Sequence, residues 1–67
     1  MEVVIKTLYN IGDRVLADVW YADRQRGEKG TVLGIDVEDE CIYYRVKIDY
    51  DGLIVRMYAR DLSRLFE

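Results

Sequence analysis

Two sets of side chains alternate along most of this chain, at the two-residue spacing of a half-buried β-strand. The clearest segment is CIYYRVKID, residues 41–49. One side of it carries Ile42, Tyr44, Val46 and Ile48, and the other carries Cys41, Tyr43, Arg45, Lys47 and Asp49. The segments DRVLADVWYA and LIVRMY alternate in the same way, and GTVLGIDVE does so with an interruption at Gly34 that a bulge explains. These patterns predict four strands.

Turn signals separate the alternating segments. The stretch DYDG predicts a tight hairpin because Asp-Gly accepts a positive φ. The acidic VEDEC predicts a solvated loop, YADRQRGEKG an irregular loop, and ARDLSRLF one helical turn followed by a last short strand. Together the elements predict an all-β fold, a single five-stranded, strongly bent barrel with one short helical turn before the last strand. The residues predicted to fill the barrel are Val15, Val19, Tyr44, Val46, Ile48, Val55, Met57 and Leu62.

Three closely spaced glycines in RGEKGTVLGID raise the question of a phosphate-binding loop. Such a loop places a lysine and a serine or threonine directly after its last glycine, at the start of a helix. Here Gly34 is followed by Ile35 and Asp36 in a strand pattern. We therefore predict that Gly27 and Gly30 close a loop and that Gly34 bends a strand.

Composition narrows the chemistry further. The chain has 67 residues, a net charge of −3, one cysteine and no histidine, so disulfides, Cys/His zinc sites and His-activated nucleophiles are excluded. We expect no cofactor, no metal and no enzymatic activity. The acidic balance disfavours general nucleic-acid binding. No apolar run reaches the roughly 18 residues of a membrane span, so we expect no contact with membranes. The chain has a single cysteine, and its N-terminal sequence does not resemble a signal peptide. Both features predict a cytoplasmic protein.

Four motifs follow one another along the chain: YNIGDRVLA, KGTVLGID, YYRVKIDYDG and VRMYARDL. A Gly-Asp-x-Val start, a Gly-x-Val second strand, an Asp-x-Gly hairpin and an Asp-Leu turn before the last strand are shared features of one group of folds. In this order the chain resembles the SH3-like barrels of the Tudor, Agenet and KOW type, from about Ile11 to Leu65. The resemblance implies an N-terminal arm or short strand over residues 1–10 and the barrel over 11–67. It implies a fold more than a function, since this barrel serves many unrelated tasks.

The Tudor resemblance implies an aromatic cage for methylated lysine or arginine. Its candidate residues here are Trp20, Tyr21 and Tyr50, with Asp49 or Asp51 beside them. The IDYDG hairpin is one residue longer than is usual in that family. The KOW resemblance instead implies contact with nucleic acid through Arg24, Arg26 and Lys29, near Trp20 and Tyr21.

A weaker resemblance links the chain to the type II, plasmid-borne dihydrofolate reductases, which are small barrels that assemble around a central pore. Their pore strand reads Val-Gln-Ile-Tyr, and the matching stretch here is VRMY, Val55 to Tyr58. Arg56 replaces the pore glutamine, so this enzyme function is the most distant of the alternatives.

Apolar and aromatic residues remain after the predicted core is filled. A chain this short buries only about 60% of its unfolded surface and is often stabilised by association. A monomer seldom exposes so much apolar surface without use. We therefore predict a module that binds another protein and forms a homo-oligomer. The predicted contact residues are Tyr43, Ile54, Arg56 and Tyr58, followed by Trp20 and Tyr21.

Overall fold

Five antiparallel strands and one short 3-10 helix form the chain in the computed structural model, which describes residues 8–21 and 24–66, with side chains at 8–19 and 27–66. The elements are β1 (Arg14–Tyr21), β2 (Arg24–Glu38), β3 (Cys41–Ile48), β4 (Ile54–Met57), the 3-10 helix (Ala59–Asp61) and β5 (Leu62–Arg64). They form one sheet in the order β4-β3-β2-β1-β5. The prediction of an all-β fold with five strands and one helical turn before the last is confirmed.

Most of the segment predicted as an irregular loop, from Arg24 onward, belongs to a strand. β2 begins at Arg24 and pairs with β1 without interruption, from Tyr21 opposite Arg24 to Val15 opposite Gly30. The loop prediction was wrong because the segment is polar and glycine-rich, so its strand conformation is determined by the backbone ladder with β1 rather than by its own propensity. Glu28, which belongs to the segment predicted as an irregular loop, is only 9% exposed.

Gly27 and Gly30 therefore lie within a strand and do not close a loop. At Gly30 a Cβ would stand 2.6 Å from Cγ1 of Val46 and 2.8 Å from the carbonyl oxygen of Lys47. This position requires glycine because β2 and β3 approach closely there.

The predicted bend at Gly34 is confirmed. The pairing of β2 with β3 shifts register between Val32 and Gly34, so Leu33 is the extra residue of a β-bulge. Val32 faces Val46 before the bulge, and Ile35 faces Tyr44 after it. The bulge thus keeps an apolar residue on the core side both directly before it and directly after it.

The core lies on one side of the sheet. Of the residues predicted to fill it, Val55 is partly buried and the others are buried. Tyr9, Ala17 and Val32 complete the core. Tyr9 covers one end of it, with its hydroxyl donating to the carbonyl oxygen of Leu62 at 3.1 Å and its ring 5.3 Å from that of Tyr44, edge to face. Burying a side chain of this size stabilises a domain by about 1.5–3 kcal/mol.

Two tight turns connect the central strands. The predicted hairpin between β3 and β4 is confirmed, with Gly52 at a φ of 74°. The turn between β2 and β3 consists of Asp39 and Glu40 alone, at φ values of 48° and 65°. Two successive positive φ values are typical of a type I′ turn, which asparagine, aspartate and glycine adopt more easily than glutamate does. The predicted solvated loop is therefore exposed, as expected, but it is a tight turn.

Candidate functional site

The outer face of β3 and β4 carries a cluster of aromatic and charged side chains. Because neighbouring residues of a strand point to opposite faces, burial of Tyr44, Val46 and Met57 leaves the alternate positions outside. The outward residues are Tyr43, Arg45 and Lys47 on β3, and Ile54 and Arg56 on β4, with Tyr58 directly after that strand. The strand pairing sets Arg45 opposite Arg56 and Lys47 opposite Ile54.

Three of these side chains cluster with one from the 3-10 helix. We term the group, which consists of Tyr43, Arg56, Tyr58 and Arg60, the tyrosine–arginine cluster. The rings of Tyr43 and Tyr58 lie 4.9 Å apart at an angle of 41°, and their hydroxyl oxygens are 3.3 Å apart. The guanidinium of Arg56 lies 4.3 Å from the centre of the Tyr43 ring. That of Arg60 lies 4.6 Å from the centre of the Tyr58 ring. Each ring therefore has a cation within the range of a cation–π interaction.

Acidic residues of β2 hold the arginines in place. Arg56 donates from Nη2 to Oε2 of Glu38 at 2.6 Å, and its Nε lies 4.0 Å from Oδ2 of Asp36. The same Asp36 oxygen lies 3.1 Å from Nε of Arg45. Two acids thus compensate the directly opposed pair of arginines, which would otherwise repel each other. Exposed ion pairs add little stability, so their main effect is to fix the orientation of the guanidinium groups.

Two pKa shifts reflect this geometry. The hydrogen bond from Arg56 to Glu38 raises the pKa of the Arg56 guanidinium. The hydrogen bond with the Tyr58 hydroxyl raises the pKa of Tyr43 above its ordinary value of 10.0. The Tyr43 phenol is therefore neutral at physiological pH and can donate or accept a hydrogen bond.

Beside the cluster lies an open depression of about 430 Å³, lined by Ile35, Asp36, Val37, Glu38 and Arg56. A Cβ at Gly34 would overlap the guanidinium of Arg45. The glycine directly after the bulge thus leaves room for Arg45 to lie across β2 and reach Asp36. Depression and cluster share Arg56 and form one continuous surface.

A second charged group lies where β1, β2 and the β3–β4 turn meet. Arg14 donates from Nη1 to Thr31 Oγ1 at 2.8 Å and to Asp49 Oδ1 at 2.9 Å. A further bond joins Arg14 Nη2 to Asp49 Oδ2. The hydrogen bond from Arg14 lowers the pKa of Asp49. This Arg14–Asp49 fork connects three parts of the sheet.

The predicted contact residues are partly brought together. Tyr43, Arg56 and Tyr58 form one cluster, and Ile54 lies 55% exposed on the same face. The side chains of Trp20 and Tyr21 lie outside the described residues. Sequence reasoning missed Asp36, Glu38, Arg45 and Arg60 as part of this surface. Asp36 and Glu38 alternate along β2, but this pattern indicates which face they occupy only once the position of the bulge is known.

The two alternative sites predicted from the sequence are only partly described. In the aromatic cage, Tyr50 is 72% exposed and Asp49 is bonded to Arg14. Asp51 accepts a hydrogen bond from the backbone of Leu53 at 3.0 Å. For the nucleic-acid site, Arg24 and Arg26 lie in β2 with side chains outside the described part, and Lys29 is exposed. Both sites stay predictions.

Two features bear on other kinds of site. Within the described part of the chain, no three acidic or cysteine side chains converge so as to hold a metal ion. No helix across residues 8–21 and 24–66 is long and apolar enough to cross a membrane.

Comparison with protein-family models, with curated proteins and with solved structures finds no match for this chain.

Proposed function

We propose that this protein is a non-enzymatic protein-interaction module that associates with itself through the outer face of β3 and β4. Tyr43, Ile54, Arg56 and Tyr58 are its contact residues. The observation that carries the proposal is the tyrosine–arginine cluster, in which stacking and hydrogen bonds hold two tyrosines and two arginines together on an exposed strand surface. Tyrosine and arginine are enriched at the energetic centres of protein interfaces.

The fixed geometry of the cluster supports a binding role. Long side chains lose conformational entropy when a partner immobilises them, and side chains already ordered lose less. Glu38 and Tyr43 restrain Arg56 before any partner arrives. Arg56 therefore presents a fixed planar cation and an aromatic neighbour, rather than a mobile side chain that must be ordered on binding.

We further propose that the sheet curves into a partly open SH3-like barrel, in which the terminal strands β4 and β5 do not pair with each other. The strand order β4-β3-β2-β1-β5, the bulge that bends β2 and the 3-10 helix directly before β5 support this. In such a barrel the core lies inside, and the tyrosine–arginine cluster lies on the outer wall, where a second molecule can reach it.

Mass in solution across a concentration series tests the proposed function. The mass of the unmodified protein in solution is expected to rise with concentration from 7.9 kDa toward a multiple of that value. Tyr58→Ala and Tyr43→Ala are expected to weaken association at least about tenfold, as truncation of central interface tyrosines does. Tyr50→Ala is the matched control, since Tyr50 is more exposed than Tyr58 but lies in the β3–β4 turn.

Two results contradict the proposal. One is a mass of 7.9 kDa at every concentration. The other is loss of a partner in an Arg24/Arg26/Lys29 triple alanine variant, with steep salt dependence and with no effect of Tyr58→Ala. That second result favours the nucleic-acid module instead, because phosphate-driven binding falls steeply with salt.

A further inference from the structure

The free edge of β4 presents a defined set of backbone hydrogen-bonding groups. Antiparallel strands alternate between pairs that exchange hydrogen bonds and pairs that do not. The amide of Ile48 donates to the carbonyl oxygen of Leu53 at 2.8 Å, so Val55 opposite Val46, two residues further along, is the next bonded pair. The N–H and C=O groups of Ile54 and Arg56 therefore point away from β3.

No described strand pairs with this edge, because β4 is terminal in the sheet order. Edges of this kind are usually protected by a bulge, a proline or an outward charge. The pairing of β3 with β4 runs without a register shift, and the chain has no proline. The charge that β4 carries, Arg56, is held over the sheet face by Glu38 and Tyr43.

The opposite edge differs. At β5 the hydroxyl of Tyr9 donates to the carbonyl oxygen of Leu62, the first residue of that strand. Beside the edge of β4, in contrast, Ile54 is 55% exposed and Leu53 is 50% exposed. An exposed apolar strand edge with free backbone groups is a template for strand addition.

We infer that the occupant of this edge is a second copy of the same chain, paired antiparallel through β4 with Val55 on the two-fold axis. This rests on the proposed self-association and specifies its geometry. In this register Ile54 of each copy forms a bonded pair with Arg56 of the other. The outward N–H and C=O groups of these two residues are then all hydrogen-bonded across the interface. The contact is self-complementary, as a two-fold interface requires.

The charges and the strand length select this register. An axis at Arg56 places two arginines directly opposite each other, which is destabilising. An axis at Ile54 pairs Arg56 with Gly52, which lies beyond the end of β4. With Val55 on the axis, the aliphatic stem of Arg56 lies beside Ile54 of the other copy. The two tyrosine–arginine clusters then lie on the same face of one continuous sheet.

Amide hydrogen exchange on the unmodified protein, at low and high concentration, tests the pairing without any substitution. The amides of Ile54 and Arg56 are expected to exchange at least tenfold more slowly at high concentration. Those of Val55 and Met57 already bond to β3 and are expected to change much less. If the protein associates but Ile54 and Arg56 exchange equally fast at both concentrations, the strand pairing is wrong and the proposed function stands. A protein that stays monomeric overturns both.

Cross-linking provides a positive test of the register. Residues on the axis form a non-bonded pair, whose Cα atoms lie about 4.5 Å apart, within the range of a disulfide. In a Cys41→Ser background, Val55→Cys is expected to form a disulfide-linked dimer at least tenfold faster than Ile54→Cys under mild oxidation with oxidised glutathione. Ile54→Cys is the matched control, since its partner across the interface is Arg56. Equal rates for the two variants overturn the inferred register.

Discussion

The two charged groups on the sheet surface use arginine for opposite purposes. In the Arg14–Asp49 fork the guanidinium of Arg14 donates hydrogen bonds within the chain, to Thr31 and to both carboxylate oxygens of Asp49. In the tyrosine–arginine cluster, Arg56 bonds to Glu38 and lies over the half-buried ring of Tyr43. The first arrangement connects strands, and the second presents a surface. Ion pairing alone therefore does not distinguish the two arginines, whereas the neighbouring tyrosine ring does.

The largest expected effect is a loss of stability when a glycine is replaced by alanine, and its size is expected to differ between the two regions. Gly30 pairs with Val15 and Ile48, next to the fork, and a Cβ there would meet a valine methyl and a backbone carbonyl that cannot move aside. Gly30→Ala is expected to lower the free energy of unfolding by about 1–3 kcal/mol, as overpacking does. Chemical denaturation measures it.

Gly34→Ala is the matched control beside the cluster. Its Cβ would meet the end of the flexible Arg45 side chain, which can move aside. A smaller loss of stability is therefore expected. Equal losses for the two alanine variants contradict the distinction between the two regions.

Next in size is the contrast between the two arginines. Arg56→Ala is expected to weaken self-association about tenfold, with little change in the denaturation midpoint. Arg14→Ala is expected to lower the denaturation midpoint more than Arg56→Ala does, and to leave association of the folded protein unchanged. If Arg14→Ala weakens association as much as Arg56→Ala, the fork is not purely structural.

The two regions are also expected to respond to opposite extremes of pH. The pKa of Asp49 is lowered from 3.8 in the folded protein by its hydrogen bond with Arg14. Its contribution to stability is therefore present above pH 3.8 and is lost as the pH falls through the lower folded value. Asp49→Asn is expected to remove this acid-side dependence, measured as denaturation midpoints between neutral and acidic pH.

The cluster is expected to respond on the alkaline side. The pKa of Tyr43 is raised above 10.0 by its hydrogen bond with Tyr58. The stabilising contribution is therefore complete below pH 10.0 and is lost as the pH rises through the higher folded value. Self-association of the unmodified protein is expected to weaken over that range. Tyr43→Phe is expected to lack this part of the pH dependence, and an identical profile for both proteins contradicts the assignment.

The smallest effect concerns the turn between β2 and β3, which belongs to neither region. Glu40 has a φ of 65°, and a residue with a Cβ pays roughly 1 kcal/mol for that conformation. Glu40→Gly is expected to raise the free energy of unfolding by up to about 1 kcal/mol and to leave association unchanged. A destabilised variant contradicts the strain at this turn.

Much of the fold could be predicted because its signals are local. Alternation defined β3, Asp-Gly placed the β3–β4 hairpin, and Gly34 marked the bulge. The strand over residues 24–30 could not be predicted, since polar residues and glycines there are extended only through pairing with β1. Tyr9 was missed because its contact with Leu62 spans almost the whole chain.

The candidate site was predictable to a similar degree. Alternation alone placed Tyr43 and Arg56 on the outer face. Glu38 could not be matched to Arg56, because the bulge shifts every later position of β2 by one residue. Arg60 lies in the 3-10 helix, whose orientation does not follow from strand alternation.

Chemical shifts across a dilution series test the central claim most directly, because they report both regions in one experiment. The resonances of Tyr43, Ile54, Arg56 and Tyr58 are expected to move with concentration, while those of Arg14, Thr31 and Asp49 stay fixed. Shifts confined to the fork, or no shifts over a range that spans association, contradict a self-associating surface on β3 and β4.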